Sequence, residues 1–224
     1  MRKHSKNAMN LKHTTASIVI LIASLATVPP ARAQEDDTLP ADEARATRDG
    51  QAETLEARYR TPRTPEQTHR IAQAYANRAR RARTAQERER ALKSATEQYT
   101  QWIAAVEKQV RRGGDAKSDL ELASARIEYA GLLMGLSAAS ELDEFEITNG
   151  QRGDRKKLQE VLEAARTEYA DARTIVSRLY DSLADREDEF LAAGIYDTII
   201  QRRLDIILND GWAHYYLGLI EEND

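Results

Sequence analysis

The residues that could bind a metal ion or activate a nucleophile are few in this chain. It has no cysteine, which rules out a thiol nucleophile, a disulfide framework and a cysteine-ligated metal. Glu66 and His69 have the i, i+3 spacing with which di-iron helical bundles bind metal from one helix face. Such bundles use the motif twice, and no glutamate stands three positions before His214. We therefore interpret His69 as a surface residue in the first turn of a helix and predict no metal site.

The sequence motifs of common hydrolases and nucleotide-binding proteins do not occur. The chain has no G-x-S-x-G, the motif that places a nucleophilic serine between a strand and a helix. Gly113-Gly114 and Gly150-x-x-Gly153 match neither G-x-x-x-x-G-K-S/T nor G-x-G-x-x-G. No pair of carboxylates stands out among the 37 acidic residues. The sequence therefore predicts a protein that is not an enzyme and has no cofactor.

One dense basic run consists of Arg78, Arg80, Arg81 and Arg83. Such a run could contact an anionic polymer or lipid headgroups. The alternative is a solvated helix face whose charge is neutralised by Glu87 and Glu89, which follow in the sequence. We prefer the solvated face.

Residues 1–33 have the features of a cleaved secretory signal. A basic start is followed by an uncharged, mainly apolar stretch at residues 14–28, and the small-x-small triplet Ala31-Arg32-Ala33 stands before Gln34. A membrane anchor is the alternative, but the stretch is shorter than the roughly 20 residues that span a bilayer. The sequence thus predicts cleavage between Ala33 and Gln34, with no transmembrane span left afterwards. It predicts a periplasmic or secreted protein of a bacterial envelope.

Removal of the signal makes the chain distinctly acidic. The signal contains five of the 33 basic residues and no acidic residue, so the mature chain has 28 Lys and Arg against 37 Asp and Glu, a net charge of about −9. This balance favours solubility and disfavours general binding to nucleic acid or anionic lipid. We predict no nucleic-acid partner.

The mature chain is predicted to have a leader at residues 34–63 and a folded domain at residues 64–224. The leader is acidic and poor in apolar residues up to about Gly50, which is typical of a flexible segment, although residues 52–60 could add two helical turns. Thr64-Pro65-Glu66-Gln67 then combines an N-cap, a proline at the first helical position and a glutamine three residues after the cap. This pattern predicts the first helix of the domain.

Helical periodicity continues through the domain, and no strand pattern interrupts it, so the predicted fold class is all-α. Capping signals recur at residues 84–87 and 118–121. The strongest period is a seam of apolar residues in steps of four and three, which predicts one long helix: Leu158, Leu162, Ala165, Tyr169, Ala172, Val176, Leu179 and Leu183. A later buried face is predicted to comprise Ile199, Ile200, Leu204 and Ile207, in a helix closed by Asn209-Asp210-Gly211.

A trio of Leu, Ala and Tyr with spacings of three and four residues occurs three times. The copies are Leu92, Ala95 and Tyr99; Leu122, Ala125 and Tyr129; and Leu162, Ala165 and Tyr169. These spacings place the three side chains of each copy on one face of a helix. A bulky–small–bulky face that recurs in this way is typical of stacked helical hairpins.

The final segment resembles a tetratricopeptide repeat (TPR). In that family a bulky residue followed by a small one lets neighbouring helices pack closely, and Leu217-Gly218 fits that pair after the aromatic run at residues 212–216. Tyr75-Ala76, Tyr129-Ala130 and Tyr169-Ala170 are similar pairs, at intervals of 54, 40 and 48 residues, where the unit of the family is 34. The resemblance implies antiparallel hairpins stacked as a short TPR-like array that binds peptides or proteins. An irregular bundle is the alternative.

These observations predict an exported, non-catalytic helical scaffold that binds an envelope protein or peptide, whose identity no residue pattern encodes. The candidate contact residues are the aromatics Trp212, Tyr215 and Tyr216, which either fold back as core or form an open surface. The alternative is a self-associating, coiled-coil-like structural protein, a homo-oligomer held through the seam at residues 158–183.

Overall fold

The computed structural model of the chain describes residues 40–138, 142 and 154–222. This part is all-α, as predicted, and contains no strand. The predicted signal peptide, its cleavage residues Ala33 and Gln34, and the start of the predicted leader lie outside it. Its helices are α1 (Ala41–Arg48), α2 (Ala52–Arg58), α3 (Pro65–Arg81), α4 (Ala85–Arg111), α5 (Ala116–Leu132), which continues as a π-helical turn (Leu133–Ser137), α6 (Arg155–Asp181), α7 (Glu187–Ala192) and α8 (Tyr196–Glu222).

The folded part begins earlier than the sequence indicated. Residues 40–50, predicted to be flexible, contain α1, and the two helical turns considered for residues 52–60 are present as α2; both helices pack on α3. Their anchor is the buried carboxylate of Glu43, which accepts hydrogen bonds from the Tyr59 hydroxyl at 2.6 Å and from Arg70 Nη1 at 2.8 Å. Between the two helices Gly50 has a φ of 73°, and a Cβ there would lie only 3.0 Å from the backbone nitrogen of Arg78. Tertiary partners thus fold a segment whose composition favours disorder.

Side-chain caps fix the starts of the following helices. In the predicted capping box, the Gln67 backbone N–H donates to Thr64 Oγ1 at 3.3 Å, and the Thr64 N–H donates to Gln67 Oε1 at 3.1 Å. The prediction for α5 was three residues late: Asp115, and not Ser118, is the N-cap, because its carboxylate accepts the Ser118 N–H at 2.9 Å and the helix begins at Ala116. Local hydrogen bonding therefore explains where these helices start.

Helices α3, α5 and α8 lie side by side in one layer, and α4 and α6 form a second. The His69–Glu128 pair joins α3 to α5, and Arg202 Nε donates to Ser124 Oγ at 3.1 Å to join α8 to α5. Arg126 of α5 ties the layers together, since its guanidinium donates to Glu168 of α6 at 2.6 Å and to Glu107 of α4 at 2.5 Å. Consecutive helices therefore pack as hairpins that stack on one another.

The core between α3 and α4 is built largely of alanine. Both helices contribute buried small residues to one cluster: Ala72, Ala76 and Ala79 from α3, and Ala91 and Ala95 from α4. Small side chains allow the two helix backbones to approach closely. Tyr99 and Trp102 then fill the space at one end of the cluster, so the first Leu-Ala-Tyr trio serves core packing.

The seam at residues 158–183 lies on α6 and the turn after it, and it is covered within the chain. All eight of its residues are buried, from Leu158 at 1% exposure to Leu183 at 8%. Along its length it meets side chains of α5, α7 and α8, including Ala123, Phe190, Ile206 and Tyr216. A second copy could use this seam only if α6 left its own core, so the structure gives no support to self-association through it.

The last helix differs from its prediction in two ways. First, α8 runs without a break through Asn209-Asp210-Gly211, where the sequence placed its end. The Asp210 side chain is buried and accepts a hydrogen bond from Arg173 Nη2 of α6 at 2.5 Å, so a residue type common in turns is held inside a helix. Second, Leu204 and Ile207 are exposed by more than half, whereas Ile199 and Ile206 are buried.

Candidate functional site

Two places in the structure carry side chains that the fold alone does not obviously require. The first is a polar cluster around His69, which lies in the second turn of α3. Nε2 of His69 lies 2.7 Å from Oε2 of Glu128, and its ring stacks on Trp102 with centroids 3.7 Å apart and an interplanar angle of 10°. Its side chain is only 22% exposed. The interpretation of His69 as a first-turn surface residue was therefore wrong, because Trp102 and Glu128 come from distant parts of the sequence.

Electrostatics in this cluster favours a charged Glu128. Burial by itself would raise the pKa of Glu128, but the adjacent His69, together with Arg202 and Gln73, lowers the pKa below its usual range. Glu121 lies about two helical turns before Glu128 on α5. Its pKa shifts in the opposite direction, because burial and the nearby carboxylate of Glu66 raise it. The cluster thus has a close His69–Glu128 contact that links α3 to α5 and a second carboxyl that binds its proton more tightly.

This geometry suits helix positioning better than catalysis or metal binding. No group of three or more His, Asp and Glu side chains in the described ranges is arranged to hold a metal ion. The aromatic stack packs against the α3–α4 core, and Arg202 reaches the same cluster from α8. We therefore assign the His69 cluster to the cohesion of the α3–α5–α8 layer.

The second place is an apolar surface on α8, which we call the α8 stripe. It consists of Leu204, Ile207, Leu208, Gly211 and Tyr215, which share the helix face opposite the buried Ile206. The exposed fractions of its large side chains are 56%, 57%, 56% and 46% in sequence order. A contiguous apolar surface of this kind commonly marks an interaction site. The stripe is therefore the leading candidate for a functional surface.

The three aromatics predicted as partner contacts have different environments. Tyr216 is buried and belongs to the cluster with Leu158 and Leu162 of α6, and Trp212 is half-buried against the same cluster. Tyr215 is exposed, with its ring centroid 5.8 Å from that of Trp212 in an edge arrangement. Of the three predicted residues, the structure thus brings only Tyr215 into the α8 stripe.

Sequence reasoning missed Leu204, Ile207 and Leu208 as surface residues. A signal for them existed, because the buried side of α8 repeats every seven residues along one line: Ile199, Ile206, Ala213 and Ile220. Residues two positions before or after these, such as Leu204 and Leu208 on either side of Ile206, lie on the opposite side of the helix. The supposed helix end at Asn209-Asp210-Gly211 hid this longer period.

A shallow groove of about 140 Å³ borders the stripe where α8 meets α6. Its floor is apolar, with Val176 and Ile206, and its rim carries Arg173 and Arg203. The Arg203 guanidinium lies 3.7 Å from the centroid of the Tyr180 ring. The stripe therefore has a basic edge on the side of α6.

The basic run near the end of α3 is neutralised mainly by residues that precede it in the sequence. Arg78 forms an ion pair with Glu53 of α2, and Arg81 lies 3.5 Å from the Asp49 carboxylate. These acidic residues belong to the segment that was predicted to be a leader. The face is solvated, as we preferred, but Glu53 and Asp49 supply countercharges that the sequence did not indicate.

Comparisons with family models, curated proteins and solved structures give no match to this chain. Among the described residues, no helix combines the length and the apolar character needed to cross a bilayer.

Proposed function

We propose that the protein is an exported, non-catalytic helical scaffold that uses the α8 stripe to bind a helix of another protein in the cell envelope. The observation that carries the proposal is the row of four large, half-exposed apolar side chains on one face of α8. A helix that binds another helix does so through apolar anchors at spacings of three, four and seven residues. Leu204, Leu208, Gly211 and Tyr215 have this spacing.

Burial of the stripe would provide a useful driving force. Full burial of a Leu or Ile side chain is worth roughly 1.5–3 kcal/mol, and each residue of the stripe still exposes about half of its surface. Each would therefore contribute about 1 kcal/mol, which suits reversible binding. Because the mature chain is acidic, apolar contact is a better basis for recognition than general charge attraction.

Export is supported by the signal-like features of residues 1–33, and the scaffold role by the layered hairpins, which hold α8 on a rigid support. The resemblance to TPR proteins adds a helical-array precedent for peptide or protein binding. A role without catalysis agrees with the assignment of the His69 cluster to helix packing.

The test is capture from an envelope extract with the mature chain (residues 34–224) as bait. We expect the double variant Leu204→Asp, Leu208→Asp to lose proteins that the unchanged bait retains, because two carboxylates in the contact would have to be desolvated. Leu191→Asp is the matched control, since Leu191 is equally exposed at 55% but lies on α7. If both variants retain the same proteins as the unchanged bait, the α8 stripe is not the binding surface.

A further inference from the structure

We propose that the α8 stripe binds the same stripe of a second copy, as an antiparallel pair of α8 helices related by a two-fold axis at Gly211. The inference rests on the proposed function in that both use the α8 stripe, but it names the occupant. It also differs from association through the seam at residues 158–183, which is buried within the chain.

The arrangement of side chains along the stripe is self-complementary about Gly211. Leu204 and Gly218 lie seven residues before and after it, so all three follow one line on the helix, with a drift of only about 20° per seven residues. Leu208 lies three residues before Gly211 and Tyr215 four residues after it. An antiparallel pair thus places Leu204 against Gly218 of the second copy, and Tyr215 against Ile207 of the second copy, which lies four residues before Gly211. Bulky residues meet small or complementary ones, as an isologous contact requires.

The two glycines on this line are not explained by packing within the chain. A Cβ added at Gly211 or Gly218 would meet no atom within 4 Å, and neither residue has a positive φ. Glycine lowers helix stability relative to alanine, so nothing in the described fold favours it at these positions. The close approach of a second helix backbone does favour it, because a crossing point at Gly211 leaves the two backbones without intervening side chains.

Charges at the edge of the stripe agree with the antiparallel direction. Arg203 and Glu221 are 18 residues apart, which is five turns of an α-helix, so both lie on the same edge of α8. Arg203 precedes Gly211 by eight residues, and Glu221 follows it by ten. The two-fold axis therefore brings each Arg203 beside Glu221 of the second copy, so the contact gains two ion pairs at its rim.

The size of the contact sets its strength. From residue 204 to residue 218 the stripe spans about 21 Å at 1.5 Å per residue, and each of its large side chains contributes about 1 kcal/mol. The expected product is a dimer that dissociates in the micromolar range. A partner helix from another protein would need none of the internal symmetry that the stripe has, so the symmetry points to a second copy as a further occupant, which excludes the envelope partner while it is bound.

The test uses single cysteines in the mature chain (residues 34–224), which has none of its own. Under mild oxidation at tens of micromolar, a mixture of Ile207→Cys and Tyr215→Cys should form a mixed disulfide, because the two-fold axis places these positions opposite each other and neither change adds a side chain at the crossing point. Leu204→Cys should not couple with itself, since its copies lie about 21 Å apart on either side of the axis. A mixture of Leu204→Cys and Gly218→Cys should form the mixed dimer. Leu191→Cys, exposed on α7, is the control for random oxidation.

Two outcomes would overturn the proposal, and two others separate it from the proposed function. Efficient coupling of Leu204→Cys with itself would show a parallel or unspecific pair. Failure of Ile207→Cys and Tyr215→Cys to couple with each other, with unchanged helicity by circular dichroism, would show that no two-fold contact exists at Gly211. If coupling fails while Leu204→Asp, Leu208→Asp still abolishes capture of an envelope protein, the proposed function stands and this inference falls. If coupling succeeds and capture is unaffected, the proposed function falls and this inference stands.

Discussion

The substitution Glu43→Ala tests whether the segment before α3 belongs to the fold. Glu43 is 7% exposed and receives three cationic or hydroxyl partners: Tyr59 at 2.6 Å, Arg70 at 2.8 Å and Arg58 at 3.0 Å. Removal of the carboxylate leaves the Tyr59 hydroxyl and the Arg70 guanidinium partly buried without their acceptor. Hydrogen bonds to charged groups contribute about 1.5–3 kcal/mol each and are not additive, so we expect the attachment of α1 and α2 to weaken by about 3 kcal/mol.

Because α4 to α8, and the face of α3 that packs on α4, have core clusters separate from that of α1 and α2, the loss should appear as local opening. A change of about 3 kcal/mol raises the open population on the order of 100-fold. Amide hydrogen exchange followed by mass spectrometry should therefore show α1 and α2 exchanging on the order of 100-fold faster in Glu43→Ala, with little change in α6. The assay needs no knowledge of a ligand.

The matched control is Glu53→Ala, because Glu53 pairs with Arg78 but its side chain is 63% exposed. Exposed ion pairs contribute about 0–1 kcal/mol, so exchange in this variant should change by less than about fivefold. If Glu43→Ala and Glu53→Ala exchange alike, the buried carboxylate does not hold α1 in place. The reasoning for a folded segment at residues 40–63 would then be refuted.

Three further outcomes are expected in solution. Leu162→Ala should lower the free energy of unfolding by about 2–5 kcal/mol in urea titrations, because Leu162 is fully buried. Leu191→Ala, at an exposed position, should change it by less than about 0.5 kcal/mol. Equal effects of the two substitutions would contradict the assigned core. The pKa of Glu128 is lowered in the folded protein. Its contribution to stability is therefore present above the ordinary Glu pKa of about 4.3 and is lost as the pH falls through the lowered value. Urea midpoints measured from pH 6 to pH 3 should fall less steeply in Glu128→Gln, and an unchanged slope would contradict a stabilising role for the charged Glu128. Gly211→Ala should raise the free energy of unfolding of the dilute monomer by about 0.5–1 kcal/mol in urea titrations. The same substitution should weaken dimerisation at high concentration. A lower free energy of unfolding would show that Gly211 packs against its own chain.

Local patterns predicted much of the fold because their causes are local. The Thr64–Gln67 capping box uses atoms three residues apart, and the seam at residues 158–183 shows its period within one helix. Composition did not predict the folded segment around Glu43, because the partner of Glu43, Arg70, lies 27 residues away. A short acidic segment with few apolar residues gives no sign of such a partner.

The site was harder to predict for the same physical reason. Asn209-Asp210-Gly211 has the residue types of a helix end, but Asp210 pairs with Arg173, 37 residues earlier, and the helix continues. With the helix end misplaced, Leu204 and Ile207 were assigned to the buried side. The environment of His69 likewise depends on Trp102 and Glu128, which only the packing of α3, α4 and α5 brings together.

The alanine contact between α3 and α4 has a consequence for how this protein can vary among its relatives. Ala72, Ala76, Ala79, Ala91 and Ala95 are each at most 3% exposed, so a larger side chain at any of them would push two helices apart, at a cost of roughly 1–3 kcal/mol. Large core residues elsewhere can exchange with others of similar volume at lower cost. Relatives of this chain should therefore be recognisable by small residues at these five positions, even where their leucines, isoleucines and tyrosines have been replaced.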